Sequence, residues 1–86
     1  MKFRLSKHAE EELFRRQIPR ALMDEVLLNP QQIVDERPTR KVYQSRLGFT
    51  AGRIFLLRVI VDVAVNPAVV VTVYRTSKIT KYWKQP

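Results

Sequence analysis

Apolar and polar positions divide the chain into a helical half and an extended half. Between Lys7 and about Arg16 the apolar residues Ala9, Leu13 and Phe14 lie on one side of a helical wheel, with Ile18 near Phe14 if the turn continues. Ser6 is a good N-cap for this segment, and Glu10, Glu11 and Glu12 lie near the positive end of its macrodipole. Pro19 suits the first turn of a second helix, which runs through Arg20 to Leu28 and is stopped by Asn29-Pro30. Leu22, Met23, Val26 and Leu27 form its buried stripe. Phe3 to Leu5 reads as a short strand ahead of both helices.

From Gln31 onward the period changes to that of strands. Gln31 to Glu36, Lys41 to Leu47, Arg53 to Asp62 and Ala68 to Arg75 are four candidates, joined by turn-rich segments at Arg37 to Arg40, Gly48 to Gly52 and Val63 to Pro67. Connections this short imply an antiparallel meander. The expected fold is α+β, with two N-terminal helices packed on one face of a four-stranded antiparallel sheet. It forms a single domain over 1–86: helices at about 7–28, sheet at about 31–75 and a basic tail at 76–86. Alternation assigns Phe55, Leu57, Val59, Val61, Val69, Val71 and Val73 to the face under the helices. Thr72, Tyr74 and Thr76 fall on the other face, where Arg58 stands between Leu56 and Ile60.

Length supports one domain and no more, since the chain has 86 residues. It contains no cysteine, which removes disulfides and thiolate metal sites. The net charge of +8 is unevenly placed. Residues 1–36 carry six cations against seven anions, whereas residues 37–86 carry ten cations against Asp62 alone. A polyanionic partner would therefore meet the sheet and tail. The N-terminus lacks the apolar run of a secretory signal, which predicts a cytoplasmic protein. Ile54 to Tyr74 approaches membrane-spanning length but contains Arg58, Asp62, Asn66 and Pro67, so it reads as strands and no membrane partner is expected.

Chemistry is limited by what the chain lacks. His8 is the only histidine, the basic half has one carboxylate, and Glu10, Glu11 and Glu12 step around a helix by about 100° each, so they do not converge on one ion. With two glycines there is no phosphate-cradling loop or dinucleotide fingerprint, and no cofactor is expected. Metal-free cleavage of RNA survives this elimination, because His, Tyr, Lys and Arg suffice to move the protons and hold the developing charge. The run Val73 to Lys84 interleaves cations, hydroxyls and aromatics, a pattern that joins phosphate contacts to base stacking. The alternative is an ordinary soluble end with Tyr82 and Trp83 packed back on the core. His8 is either a solvent-facing residue of the first helical turn or a group pointing past the helix end toward the sheet. Arg16 lies at the edge of the apolar stripe, where snorkelling or a bond to a carboxylate competes at least equally with a catalytic role. Arg58 either holds phosphate or pairs with Asp62, although i and i+4 on a strand lie about 13 Å apart.

His8-Ala9, Arg16, Ile18, Val26-Leu27, Asn29-Pro30 and the ending Val71-Thr72-Val73-Tyr74-Arg75-Thr76-Ser77-Lys78-Ile79, then Lys81-Tyr82-Trp83, resemble a family of small, mostly uncharacterised bacterial domains. That family is placed among the RelE/ParE-like toxins, within the metal-independent ribonuclease folds that include barnase, EndoU, colicin and RelE domains. The resemblance implies a curved RelE-like sheet and RNA cleavage, with or without the ribosome. It also implies an antitoxin partner. It maps functional positions onto His8, Arg16, Arg58, Tyr74, Arg75, Thr76 and Lys78. The chain departs from the family pattern at Glu12, where an arginine is common, and at Gln17, where a glycine precedes the isoleucine.

The combined expectation is a toxin-like endoribonuclease of a type II toxin–antitoxin system. Its catalytic candidates are His8, Arg58, Tyr74, Thr76 and Lys78, and its RNA-binding candidates are Arg16, Lys41, Tyr43, Arg75, Lys81 and Tyr82. Lys41 and Tyr43 have an ambiguous facing, since Val42 argues for the opposite register. Expected partners are RNA, with or without the ribosome, and an acidic antitoxin, with a homodimer as a further option. The alternatives are a non-catalytic RNA-binding or regulatory module and a toxin-like subunit acting on a protein.

Overall fold

A computed structural model describes residues 2–85, the side chains of Phe49 and Thr50 excepted. Pro86, the last residue of the predicted tail, lies outside the described residues. The elements are β1 (Phe3–Leu5), α1 (Lys7–Arg15), α2 (Arg20–Leu28), β2 (Gln32–Arg37), β3 (Arg40–Thr50), β4 (Arg53–Asp62), β5 (Ala68–Thr76) and α3 (Ile79–Tyr82).

The chain is α+β, but the expected four-stranded antiparallel sheet under two helices is corrected. Among the described residues there are five strands in the order β1-β5-β4-β3-β2, and the sheet is mixed because β1 runs parallel to β5 while the other pairs are antiparallel. The described residues also form three helices, the third within the predicted tail. A strand of three residues has too little alternation to reveal its partner. Its pairing with β5 spans more than sixty positions, from Phe3 to Ala68.

Ser6 joins the layers at this junction. Its backbone N–H donates to the Val70 carbonyl at 3.0 Å, its hydroxyl donates to the Val71 carbonyl at 3.0 Å, and the same oxygen accepts from the Ala9 N–H, capping α1. Val71 is the extra residue of a β-bulge, since Ile60 pairs with Thr72 while Val61 pairs with Val70. The bulge shifts side-chain parity, so Ala68, Val70 and Val73 are the buried residues of β5 in the core shared with the helices. The expected Val69 and Val71 are half-buried and lie outside it.

The main core joins Ala9, Leu13, Ile18, Met23, Val26 and Leu27 of the helical half to Tyr43, Leu57, Val59, Val61, Val70 and Val73 of the sheet. Phe14 does not join it and is 87% exposed, contrary to its place in the expected stripe. The reason lies in the end of α1. Gln17 adopts φ 54°, its N–H donates to the Phe14 carbonyl, and the Ile18 N–H donates to the Leu13 carbonyl. This pair of bonds is a Schellman motif with its usual apolar contact between Leu13 and Ile18, which turns the chain under Leu13 and leaves Phe14 outside.

Candidate active site on the polar sheet face

Side chains on the other face of the sheet come from alternate positions. In β4 these are Leu56, Arg58 and Ile60; the register sets Arg58 opposite Gln44 on β3 and Tyr74 on β5. Leu56 and Ile60 are buried on either side, as is Val42 on β3, so the centre of this face is an apolar frame around one guanidinium.

Arg58 is 7% exposed. Its Nε donates to Gln44 Oε1 at 2.9 Å and its Nη1 donates to the Tyr74 hydroxyl at 2.6 Å. Tyr82 closes over it, with the guanidinium carbon 4.1 Å from the ring centroid. Among the described residues no carboxylate pairs with Arg58 and no hydrogen bond uses its Nη2. Asp62, the expected alternative partner, instead accepts the Ala64 N–H. A nearly buried cation held by neutral groups alone is costly to maintain, and an anion brought to it recovers part of that cost.

The two phenols beside Arg58 are displaced in opposite directions. Burial pushes the Tyr74 hydroxyl above its ordinary value, against the opposing pull of Arg58. The Lys81 ammonium, beside the Tyr82 ring, holds the Tyr82 phenol below its ordinary value, with Tyr74 and Arg58 adding to the effect. The rings stand edge to face at 6.4 Å. Neighbouring titratable groups driven apart in this way suit one to donate a proton and the other to accept it.

The segment after β5 reaches this face because Thr76 Oγ1 accepts the Lys78 N–H and turns the chain into α3. Beyond α3, Trp83 lies under the Arg46 guanidinium at 4.3 Å. Lys84 is clasped by the side-chain amide of Gln32. The tail therefore packs back as a strap over the sheet.

Arg58, Tyr74, Thr76, Lys78, Lys81 and Tyr82 thus gather on or beside the polar face. The other predicted site residues do not. His8 lies on α1 and Arg16 is its C-cap; the buried residues of that helix face the opposite side of the sheet, and both His8 and Arg16 are exposed. Arg16 donates to Glu12 at 2.8 Å. Tyr43 is buried in the helix-side core, edge to face with Phe3 at 5.7 Å, and Lys41, two residues away on the same face, pairs with Asp35 at 2.8 Å. Arg75 stands one residue out of phase with Tyr74 and lies 5.7 Å from the Phe55 ring. Gln32, Gln44 and Arg46 are site residues that the sequence pattern does not single out, whereas Trp83 falls within the cation–aromatic run at the end of the chain.

A groove of about 360 Å³ lined by Phe3, Leu5, Arg20, Asp24, Leu27 and Leu28 lies away from these groups, with the Arg20–Asp24 pair at 3.3 Å within it. Among the described residues no group of three or more His, Asp or Glu side chains is placed to hold a metal ion, and no helix is long and apolar enough to cross a membrane.

A family model for a domain of unknown function, DUF4258, matches residues 5–75. The chain belongs to the DUF4258 family. No curated protein and no solved structure matches it. The part of this DUF4258 domain that the family model covers includes Gln32, Gln44, Arg58 and Tyr74 and ends at Arg75, before the strap that carries Lys81, Tyr82 and Trp83.

Proposed function

We infer that this DUF4258 domain is a metal-independent endoribonuclease of the toxin type, related to the RelE/ParE-like toxins that its sequence resembles. The observation that carries the reading is the Arg58 guanidinium, nearly buried, without a carboxylate among the described residues, and flanked by two phenols with opposed proton affinities. A phosphodiester placed against Nη2 supplies the missing negative charge. Tyr82, in its phenolate form, takes the 2′-hydroxyl proton and becomes the phenol, Tyr74 gives its hydroxyl proton to the leaving 5′-oxygen, and Arg58 holds the charge that develops between them. The products are a 2′,3′-cyclic phosphate and a free 5′-hydroxyl. Lys78, Lys81 and Arg46 are the further cations assigned to the flanking backbone. Tyr82 takes the base role in place of His8, which is on α1. The charge of the sheet and tail also fits an acidic antitoxin as the partner that silences this face.

Incubation of the pure protein with end-labelled RNA in EDTA tests the reading. Fragments ending in 2′,3′-cyclic phosphate support it. No cleavage, or cleavage only after a divalent metal is added, overturns it. A second reading, an RNA-binding module without turnover, draws on one specific observation: the strap and the Tyr82 ring cover Arg58. Binding that falls steeply with salt and leaves the RNA intact would select it.

A further inference from the structure

Gln32, Gln44, Arg58 and Tyr74 form one row across the sheet, each opposite the next in the register. A guanidinium only donates, so the bond from Arg58 Nε makes Gln44 Oε1 the acceptor and leaves Gln44 Nε2 as a donor. That nitrogen donates to Gln32 Oε1 at 2.8 Å and to the Tyr82 carbonyl at 3.2 Å. Gln44 is fully buried, and it bonds both the cation of the site and the strap that carries Tyr82.

Packing alone does not call for an amide at this position. Val42, Leu56 and Ile60 show that this part of the face takes apolar side chains, and a buried amide is costly unless it is bonded. A glutamate of the same length would give Arg58 a counter-charge, but it would leave no net charge for a phosphate. The amide bonds Nε without neutralising it and turns its own donor to the strap. With Nε held by Gln44 on β3 and Nη1 by Tyr74 on β5, the plane of the guanidinium is fixed from both neighbouring strands. The Tyr82 ring stands 4.1 Å above the guanidinium carbon, on a backbone whose carbonyl Gln44 grips.

We propose that Gln44 is the positioning residue of this site: its neutral amide sets the plane of Arg58, leaves the charge of that group to the substrate phosphate, and holds Tyr82 above it. The proposal rests on the RNA reading above and adds the device that keeps the cation and the proton acceptor at one spacing. Gln44 acts through Arg58 and Tyr82 and is assigned no contact with the substrate.

Two substitutions of similar length, made in the full chain, separate the parts of this role. Gln44→Met removes the amide and keeps the charge of the site. A 2′-O-methylated RNA octamer, which cannot be cleaved, should then bind within about threefold of the unaltered chain, whereas cleavage of ordinary RNA in EDTA should slow about tenfold. Gln44→Glu keeps the bond to Arg58 but supplies a counter-charge, so binding of the octamer should itself weaken about tenfold. Trp83, the one tryptophan of the chain, follows Tyr82 and reports the strap without RNA: Gln44→Met should make its fluorescence more readily quenched by acrylamide. Binding that falls equally in the two variants, or cleavage that falls only as far as the folded fraction seen by circular dichroism, is what a structural role gives; either overturns the proposal and leaves the RNA reading standing. So does Trp83 quenching that Gln44→Met does not change. Should the variants fold poorly, the unaltered chain decides. Its Trp83 should be no more readily quenched when the octamer saturates it, and an increase, which means that the strap has let go of Gln44, overturns the proposal. An unaltered chain that does not cleave RNA overturns the ribonuclease reading itself, and the positioning role with it.

Discussion

The Nη1 of Arg58 donates to the hydroxyl of Tyr74 across the β4–β5 ladder at 2.6 Å. This bond ties a nearly buried cation of the polar face to a phenol that burial pushes above its ordinary value. The same guanidinium fixes the Gln44 amide, so the proposed cleavage and the proposed positioning both depend on one side chain.

Replacing Arg58 should show that dependence as stability. Arg58→Leu leaves Gln44 Oε1 and the Tyr74 hydroxyl without their donor, at an expected cost of about 1–3 kcal/mol. Urea denaturation measures it.

Glu12 supplies a pH signature. Arg15 and Arg16 bond its carboxylate at 2.7 and 2.8 Å and hold its pKa at about 2 against an ordinary 4.5. The folded value is depressed, so the contribution is complete above pH 4.5 and is lost as pH falls from there toward 2. The melting temperature of the wild type should exceed that of Glu12→Gln above pH 4.5, and the gap should close as the pH reaches about 2.

The end of α1 offers a gain. Gln17 occupies the left-handed position of the Schellman motif at φ 54°, a conformation that costs a residue with a Cβ about 1–2 kcal/mol. Gln17→Gly should raise stability by about 1 kcal/mol, read as a melting temperature about 4–8 °C higher. An unchanged or lower melting temperature would contradict that geometry.

Neighbouring positions on α1 should respond very differently. Leu13 is 8% exposed and Phe14 is 87% exposed. Leu13→Ala is expected to cost about 2–4 kcal/mol, whereas Phe14→Ala should stay within about 0.5 kcal/mol of the wild type.

What the sequence displays follows from the range of the interactions involved. The two N-terminal helices, the four longer strands and the Arg58–Tyr74 face are visible because local periodicity and turn residues encode them. The parallel pairing of Phe3–Leu5 with Ala68–Val70 is not, since nothing near Phe3 names a partner that distant. Strict alternation places Val69 and Val71 under the helices, and a bulge held by Ser6 interrupts it. Phe14 has helical spacing but lies beyond the point where Gln17 turns the chain. At the site, Tyr74 and Thr76 could be placed from β5 alone, while Gln32 and Gln44 acquire meaning only when register sets them beside Arg58 and the strap.

The rate of RNA cleavage in EDTA by the wild type and by Tyr82→Phe tests the central claim most directly. The ring that covers Arg58 is kept in the variant and only the hydroxyl is lost. The wild type should produce 2′,3′-cyclic phosphate ends, and Tyr82→Phe should bind the RNA equally well but cleave it about a hundredfold more slowly. An inactive wild type, or a variant that cleaves at the wild-type rate, would contradict the claim.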